Sequence, residues 1–358
     1  MIAVTKAFLP PFDEYTQILK RAWDNVWLTN NGELLQELEA KLAAYLGVKH
    51  VLYCGNGTVV LQLALKALNI TGDVITTPFS YVATTNALLW EKCNPIFVDI
   101  NPIDFCIDAD KIEASITPNT QAILVTHVYG NPCKIEKIEA IAKQYNLKVI
   151  YDAAHAFGAS YKGKQLLSYG DVSTCSFHAT KIFHTVEGGC LATNDGELAA
   201  KLKIIRSFGH VGDDYYEAGI NGKNSEFHAA MGLANLPYLP GIIQNRKNTS
   251  EQYDALLAGL NLQRPLALAS THYNYAYYPV VFDKEAILLE VMAALLANGI
   301  SPRRYFYPSL NTLPYLTTQT VCAVSEDIAL RVLCLPLSNS LAEDDVERIC
   351  TIIRSTMQ

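Results

Sequence analysis

Apolar residues recur at helical spacing through two stretches near the start of the chain, residues 13–26 and 33–46. The second reads LLQELEAKLAAYL and has Gly47 as its stop. Between them, Trp27-Leu28-Thr29-Asn30-Asn31-Gly32 is a polar, turn-forming segment open to ligand contact. From His50 onward the period changes. Short apolar runs at 51–53, 74–76, 95–98, 122–126 and 149–151 take turns with helical stretches at 59–68, 82–91 and 135–145. Further strand-like runs follow at 172–177 and 190–193, and the alternation reaches about residue 208. Runs that are apolar along their whole length suit strands buried on both sides. The pattern therefore predicts a mostly parallel sheet with helices on both faces.

Beyond this region the pattern predicts long helices over 223–258, broken at Pro237 and Pro240. A smaller terminal unit follows, with a strand at 276–282, a helix at 284–298, the segment 300–308 and a last helix from about 342. No repeat or flexible linker separates the two parts. We divide the chain into a large unit, 1–240, and a small C-terminal α/β unit, 241–358.

Composition narrows the function classes. Half of the 358 residues are hydrophobic and 18% are charged, which describes a folded protein with a large core. A net charge of −7 without a basic stripe argues against nucleic-acid binding, so a phosphorylated ligand must be held by local donors. No apolar run is long enough to span a membrane, and MIAVTKAFLPPFDEY carries neither a basic leader nor a cleavage site. Nine cysteines without a CxxC pair read as free thiols of a reducing cytoplasm, not as a disulfide frame or a metal site.

The chemistry concentrates in residues 151–195. An apolar run ends in Asp152, a Gly-rich loop and another strand follow, and the chain then reaches Lys181 and the pair Gly188-Gly189. A carboxylate at one strand end and a lysine just past the next can meet in an α/β crevice. Pyridoxal phosphate chemistry requires that pairing: the amine forms a Schiff base with the aldehyde, and the carboxylate keeps the pyridine nitrogen protonated. A lone Lys and Asp would more often be a surface charge and a strand-end cap. Ser176, His178 and the glycines around the same lysine favour the chemical reading. Cys54-Gly55-Asn56-Gly57-Thr58 follows a strand and opens a helix, a turn suited to one phosphate, and it matches neither the Walker A nor the GxGxxG pattern. Ser176 offers another hydroxyl, Tyr81 an aromatic face for stacking, and His155 a hydrogen bond. Asn221 lies in a loop before a helix that Ser225 is placed to cap.

Taken together, these positions resemble the DegT/DnrJ/StrS sugar aminotransferases over essentially the whole chain. The matching motifs include Trp27-Leu28-Thr29, Asn56-Gly57-Thr58, Tyr81-Val82-Ala83-Thr84, His127-Val128-Tyr129-Gly130, Asp152-Ala153-Ala154-His155, Ser176-Phe177-His178-Ala179-Thr180-Lys181, Glu187-Gly188-Gly189 and Gly219-Ile220-Asn221. The resemblance implies a fold type I transferase with a mostly parallel seven-stranded sheet and pyridoxal 5'-phosphate as cofactor. It implies that Lys181 carries the cofactor, Asp152 pairs the ring nitrogen and Tyr81 stacks on the ring. Gly57, Thr58 and Ser176 would hold the phosphate, and His155 would lie near the ring hydroxyl. Asn221 would reach a phosphate of the neighbouring subunit, which implies a homodimer with shared sites. Relatives with histidine in place of the lysine are dehydratases, so Lys181 implies transamination. Lys223-Asn224, where many relatives carry Arg and Met, leaves that loop's contacts open.

The resemblance is strongest to members that aminate C4 of a dTDP-linked 4-keto-6-deoxyglucose, with glutamate as donor, for O-antigen or another surface polysaccharide. Thr29, Asn30, Arg303 and Tyr305 are candidates for the sugar end. Arg303 and Arg304 read equally well as solvated charges. Amination at C3, a UDP-linked substrate, and a non-catalytic cofactor-binding regulator are the alternatives.

Overall fold

The apolar runs assemble into one sheet in the computed structural model, which describes residues 1–317 and 320–358. Its strands are β1 (His50–Cys54), β2 (Asp73–Thr76), β3 (Asn94–Phe97), β4 (Thr120–Thr126), β5 (Lys148–Asp152), β6 (Val172–Ser176) and β7 (Gly189–Thr193). They lie in the order β1-β7-β6-β5-β4-β2-β3. Only β7 runs against the rest, pairing antiparallel with both β1 and β6. Alternate residues of each strand feed two separate cores. Ile75, Ile123, Val149 and Cys175 pack on one face, beneath α2 (Glu33–Leu46), which follows α1 (Phe12–Asn25), and α5 (Ile135–Tyr145). Val74, Leu124, Ile150 and Leu191 pack on the other, beneath α3 (Gly57–Ala67), α4 (Val82–Trp90) and α6 (Gly196–Ile205). Burial on both faces explains why the strands read as continuous apolar runs.

Local chemistry sets the ends of these helices. Gly47 closes α2 with φ of 65°, a left-handed conformation that a side chain would strain. Asn56 opens α3 by accepting the N–H groups of Thr58 and Val59 at 3.0 and 2.8 Å. The start of α2 is capped from a distance: Glu226, buried at the head of α7 (Glu226–Asn235), accepts from Leu34 and Leu35 at 2.7 and 3.1 Å. A Cβ on Gly32 would meet that carboxylate at 2.5 Å, so only glycine lets the two approach.

The expected breaks differ at one point. A 3₁₀ turn at Leu236–Tyr238 contains Pro237, but Pro240 lies in the first turn of α8 (Leu239–Leu256). Proline lacks only an N–H that the first turn leaves unpaired, so it starts α8 and does not break it. The terminal region holds more than one strand. β8 (Leu262–Gln263), β9 (Tyr278–Phe282) and a third strand form an antiparallel sheet in which β9 is central. The helix α9 (Glu285–Ala297) precedes α10 (Ala323–Arg331), which runs directly into the third strand, β10 (Val332–Leu335). The last helix is α11 (Glu343–Met357). Val281, Ile328 and Cys334 belong to the same core as the large sheet, and Ile2–Ala3 pairs with Ile300–Ser301. Among the described residues no helix is long and apolar enough to cross a membrane.

Candidate active site

Strand ends converge on one cleft of about 240 Å³. β5 ends at Asp152, β6 at Ser176, β1 leads to the Asn56-Gly57-Thr58 turn, and β2 leads to Tyr81. This is the carboxyl edge of the parallel strands, where open α/β sheets leave a crevice. Of the residues singled out from the sequence, Gly57, Thr58, Tyr81, Asp152, His155, Ser176, Lys181, Arg303 and Tyr305 all line it. Asn221, Thr29 and Asn30 are exposed and lie outside it.

The turn at Gly57 is shaped by proximity. A Cβ there would meet the Cβ of Ser176 at 2.7 Å, so the start of α3 sits directly against the end of β6. That contact brings a helix N-terminus and the hydroxyls of Thr58 and Ser176 to one end of the cleft, an arrangement suited to a phosphate. Tyr81, 49% exposed, precedes α4 and lines the same cleft, where it presents an aromatic face.

Asp152 is buried, and both of its oxygens are engaged. Thr84 donates to Oδ2 at 2.7 Å and the Ala154 N–H to Oδ1 at 3.1 Å. Thr84 is linked in turn to Ser80, and Ser80 to Thr126, each at 2.8 Å. Burial pushes the Asp152 carboxyl up, against the pull of these hydrogen bonds and of Lys181. Lys181 meets solvent only through the open cleft, and the protein around it lowers the pKa of its amine. Its Nζ lies 3.4 Å from the Tyr277 hydroxyl. His155 is held well below its ordinary pKa by burial and then by Lys181, so its ring is neutral. Its Nδ1 accepts the Tyr129 N–H at 3.3 Å, which leaves Nε2 as the protonated nitrogen.

Arg303 and Arg304, equal from the sequence, separate in the structure. Arg304 donates to Glu285 and to the Leu330 carbonyl, each at 2.8 Å, and stacks on Tyr307. Arg303 is exposed at the cleft, its guanidinium 4.4 Å from the Tyr305 ring. The Lys223-Asn224 loop also has a definite job. Asn224 donates to the Tyr53 hydroxyl at 3.0 Å and the Glu187 carbonyl at 2.9 Å, while Lys223 sits over Phe208. Sequence reasoning left Thr84, Tyr277 and Phe306 without a role. Thr84 lay inside a quoted motif and only lacked its partner; Tyr277 and Phe306 come from the terminal region and meet the cleft through tertiary packing alone.

A lysine amine of lowered pKa, a buried carboxylate and a phosphate-sized turn at one strand edge fit a flat, phosphorylated aldehyde. Fold and cleft together are those of a pyridoxal phosphate-dependent sugar aminotransferase. The chain belongs to the DegT/DnrJ/EryC1/StrS aminotransferase family, whose family model matches residues 12–354. It is 41% identical over 362 residues to a dTDP-4-amino-4,6-dideoxy-D-glucose transaminase of Shigella dysenteriae, covering 99% of this chain and 98% of that one. A UDP-N-acetyl-3-dehydro-alpha-D-glucosamine 3-aminotransferase of Acidithiobacillus ferrooxidans is 34% identical, over 100% and 97% of the two chains. Among solved structures, that of DesI in the presence of its TDP-sugar product superposes with a TM-score of 0.95 at 33% identity, covering 99% of this chain and 92% of that chain.

Proposed function

We propose that this enzyme transfers an amino group from glutamate to C4 of dTDP-4-keto-6-deoxyglucose. The product is dTDP-4-amino-4,6-dideoxyglucose with an equatorial amine, a precursor for O-antigen or another surface polysaccharide. The observation that carries the reaction type is the shared cleft of Lys181 and Asp152, closed at one end by the Gly57–Ser176 contact. The choice of substrate is supported by the identity to the Shigella transaminase over nearly the full length of both chains.

Gly57, Thr58 and Ser176 hold the cofactor phosphate in this reading, and Tyr81 stacks on its ring. Bound there, pyridoxal 5'-phosphate supplies an aldehyde that takes up the amino group and a ring that draws electrons from the adjacent carbon. Asp152 keeps the ring nitrogen protonated. Opposite a cation its carboxylate form is favoured, which reverses the effect of burial. Neutral His155 donates from Nε2 to the ring hydroxyl. With the cofactor bound, Lys181 would serve as general base and acid, moving the proton between the substrate carbon and the cofactor carbon. Its lowered pKa makes the neutral amine, the form that accepts that proton, easier to reach. Arg303, which unlike Arg304 has no carboxylate partner among the described residues, receives the anionic end of the sugar nucleotide beside Tyr305. We further propose a cytoplasmic homodimer in which Asn221, Thr29 and Asn30 reach the partner's cleft, and a division of the chain into units 1–240 and 241–358. Exposed Trp27, Leu28 and Ile220 flank these residues and are consistent with a covered surface.

The test is turnover of a panel of keto sugar nucleotides with glutamate, with products identified by NMR. The equatorial C4 amine of the dTDP sugar is expected. Efficient turnover of a 3-keto isomer with none of the 4-keto sugar would overturn the reading. A fully active monomer in sedimentation would refute the shared site.

A further inference from the structure

Tyr277 is not a residue that the strand pattern marks for chemistry. Its side chain is 5% exposed, yet its hydroxyl reaches the cleft and stands 3.4 Å from Lys181 Nζ. The ring is boxed in by other aromatics. His155 meets it edge-on with centroids 5.0 Å apart, Tyr305 at 5.5 Å, and Tyr129 is tilted against it at 5.9 Å. The backbone before it is pinned as well. Arg246, buried on α8, donates to the Ala276 carbonyl at 3.1 Å. Buried Asn274 accepts the Ala276 N–H at 3.2 Å and donates to the carbonyls of His155 and Phe157 at 2.8 and 2.9 Å. A phenol with so little freedom holds its oxygen at a fixed point.

We propose that Tyr277 is a catalytic residue that receives the Lys181 amine whenever that amine is free of the cofactor, and so fixes the point from which it moves protons. The inference rests on Lys181 being the reacting amine. A hydroxyl is both donor and acceptor. Toward the neutral amine, Tyr277 donates its proton. After Lys181 has taken a proton from substrate carbon, the ammonium donates to the Tyr277 oxygen. One hydrogen bond therefore survives the change of charge, and the nitrogen need not move. Burial raises the Tyr277 phenol, so it keeps its own proton throughout and transfers none to the lysine. The pinned backbone explains how a residue just before β9 serves chemistry on the large sheet: Asn274 ties the segment to the loop after Asp152.

The test compares wild type with Tyr277→Phe, which keeps the ring packing. In the holoenzyme, kcat should fall by about 10–100-fold while KM for the sugar nucleotide changes by less than about twofold and cofactor occupancy is retained. The isotope effect with α-deuterated glutamate should rise, because proton transfer becomes slower. A second readout uses the cofactor-free protein. Rates of Lys181 labelling by trinitrobenzenesulfonate against pH, followed by peptide mass spectrometry, give the pKa of the amine. The ammonium loses more than the neutral amine when the hydroxyl goes, so this pKa should fall by about 0.5–1 unit. An unchanged labelling profile with unchanged kcat would overturn the proposal, as would loss confined to cofactor binding. Borohydride trapping of a different lysine in wild type would instead sink the reading of Lys181, so the two failures are distinguishable.

Discussion

The floor of the cleft and its mouth are built on opposite principles. At the floor, Asp152 and His155 are buried, their partners are set within one chain, and the pKa values of Asp152, His155 and Lys181 are moved by burial. At the mouth, Tyr81 and Arg303 are exposed, and the Arg303 guanidinium lies over the Tyr305 ring. The difference teaches where each task is placed. Proton chemistry needs perturbed groups held at fixed distances, which burial provides. Recognition of a large anionic substrate needs side chains that remain free until it arrives. Substitutions at the floor should therefore lower kcat, and substitutions at the mouth should raise KM.

The sharpest break is at the floor. Lys181→Ala should lower turnover by about 10⁴-fold or more while leaving the circular dichroism spectrum unchanged. Steady-state assays over long times, with mass spectrometry to exclude wild-type contamination, check the value. Asp152→Asn should retain Thr84 as a donor to its remaining oxygen and lower kcat by about 10²–10³-fold, with a smaller change in KM. At the mouth the pair of arginines gives an internal control. Arg303→Ala should raise KM for the sugar nucleotide about 10-fold with little change in kcat. Arg304→Ala, which removes the bonds to Glu285 and Leu330, should spare KM and lower the melting temperature by about 2–4 °C. Equal effects on KM would erase the distinction between the two.

The smallest effect is a pH dependence of stability. The folded pKa of Asp152 is raised, so the stability linked to its protonated form is present below about pH 3.9, the ordinary aspartate value, and declines as pH rises toward the raised value. Melting curves of the cofactor-free protein should show this decline, and Asp152→Asn should flatten it. A mouth variant such as Arg303→Ala should leave the slope unchanged, since that group is exposed.

How legible these regions were in the sequence follows the same division. The sheet could be read because both of its faces are covered, and α2 and α5 because apolar residues repeat along a single stripe. The passage from α10 to β10 was not seen. Arg331 and Val332 adjoin with no glycine or proline between them, so no local breaker marks where the helix gives way to the strand. Asp152 and Lys181 were legible because each follows a strand end, a local feature. Tyr277 reaches Lys181 across 96 positions of sequence, and its partner Asn274 acts on carbonyls more distant still, so periodicity gave no sign of either. Pro240 shows the limit of a breaker read without its position in the helix.

The one reversed strand, β7, bears on how the chain is made. β1 lies at the edge of the sheet and β7 is its only neighbour there, with His50 facing Thr193. On the ribosome, roughly 140 residues separate the emergence of the two strands, about 7–30 s at ordinary rates of synthesis. During that interval the backbone groups of β1 have no strand partner, and the apolar face of α3 lacks the strands β6 and β7 that later cover it. Closing so distant a pair is slow on topological grounds alone. The edge of the sheet therefore closes only after the segment that carries Lys181, which precedes β7, has been synthesised.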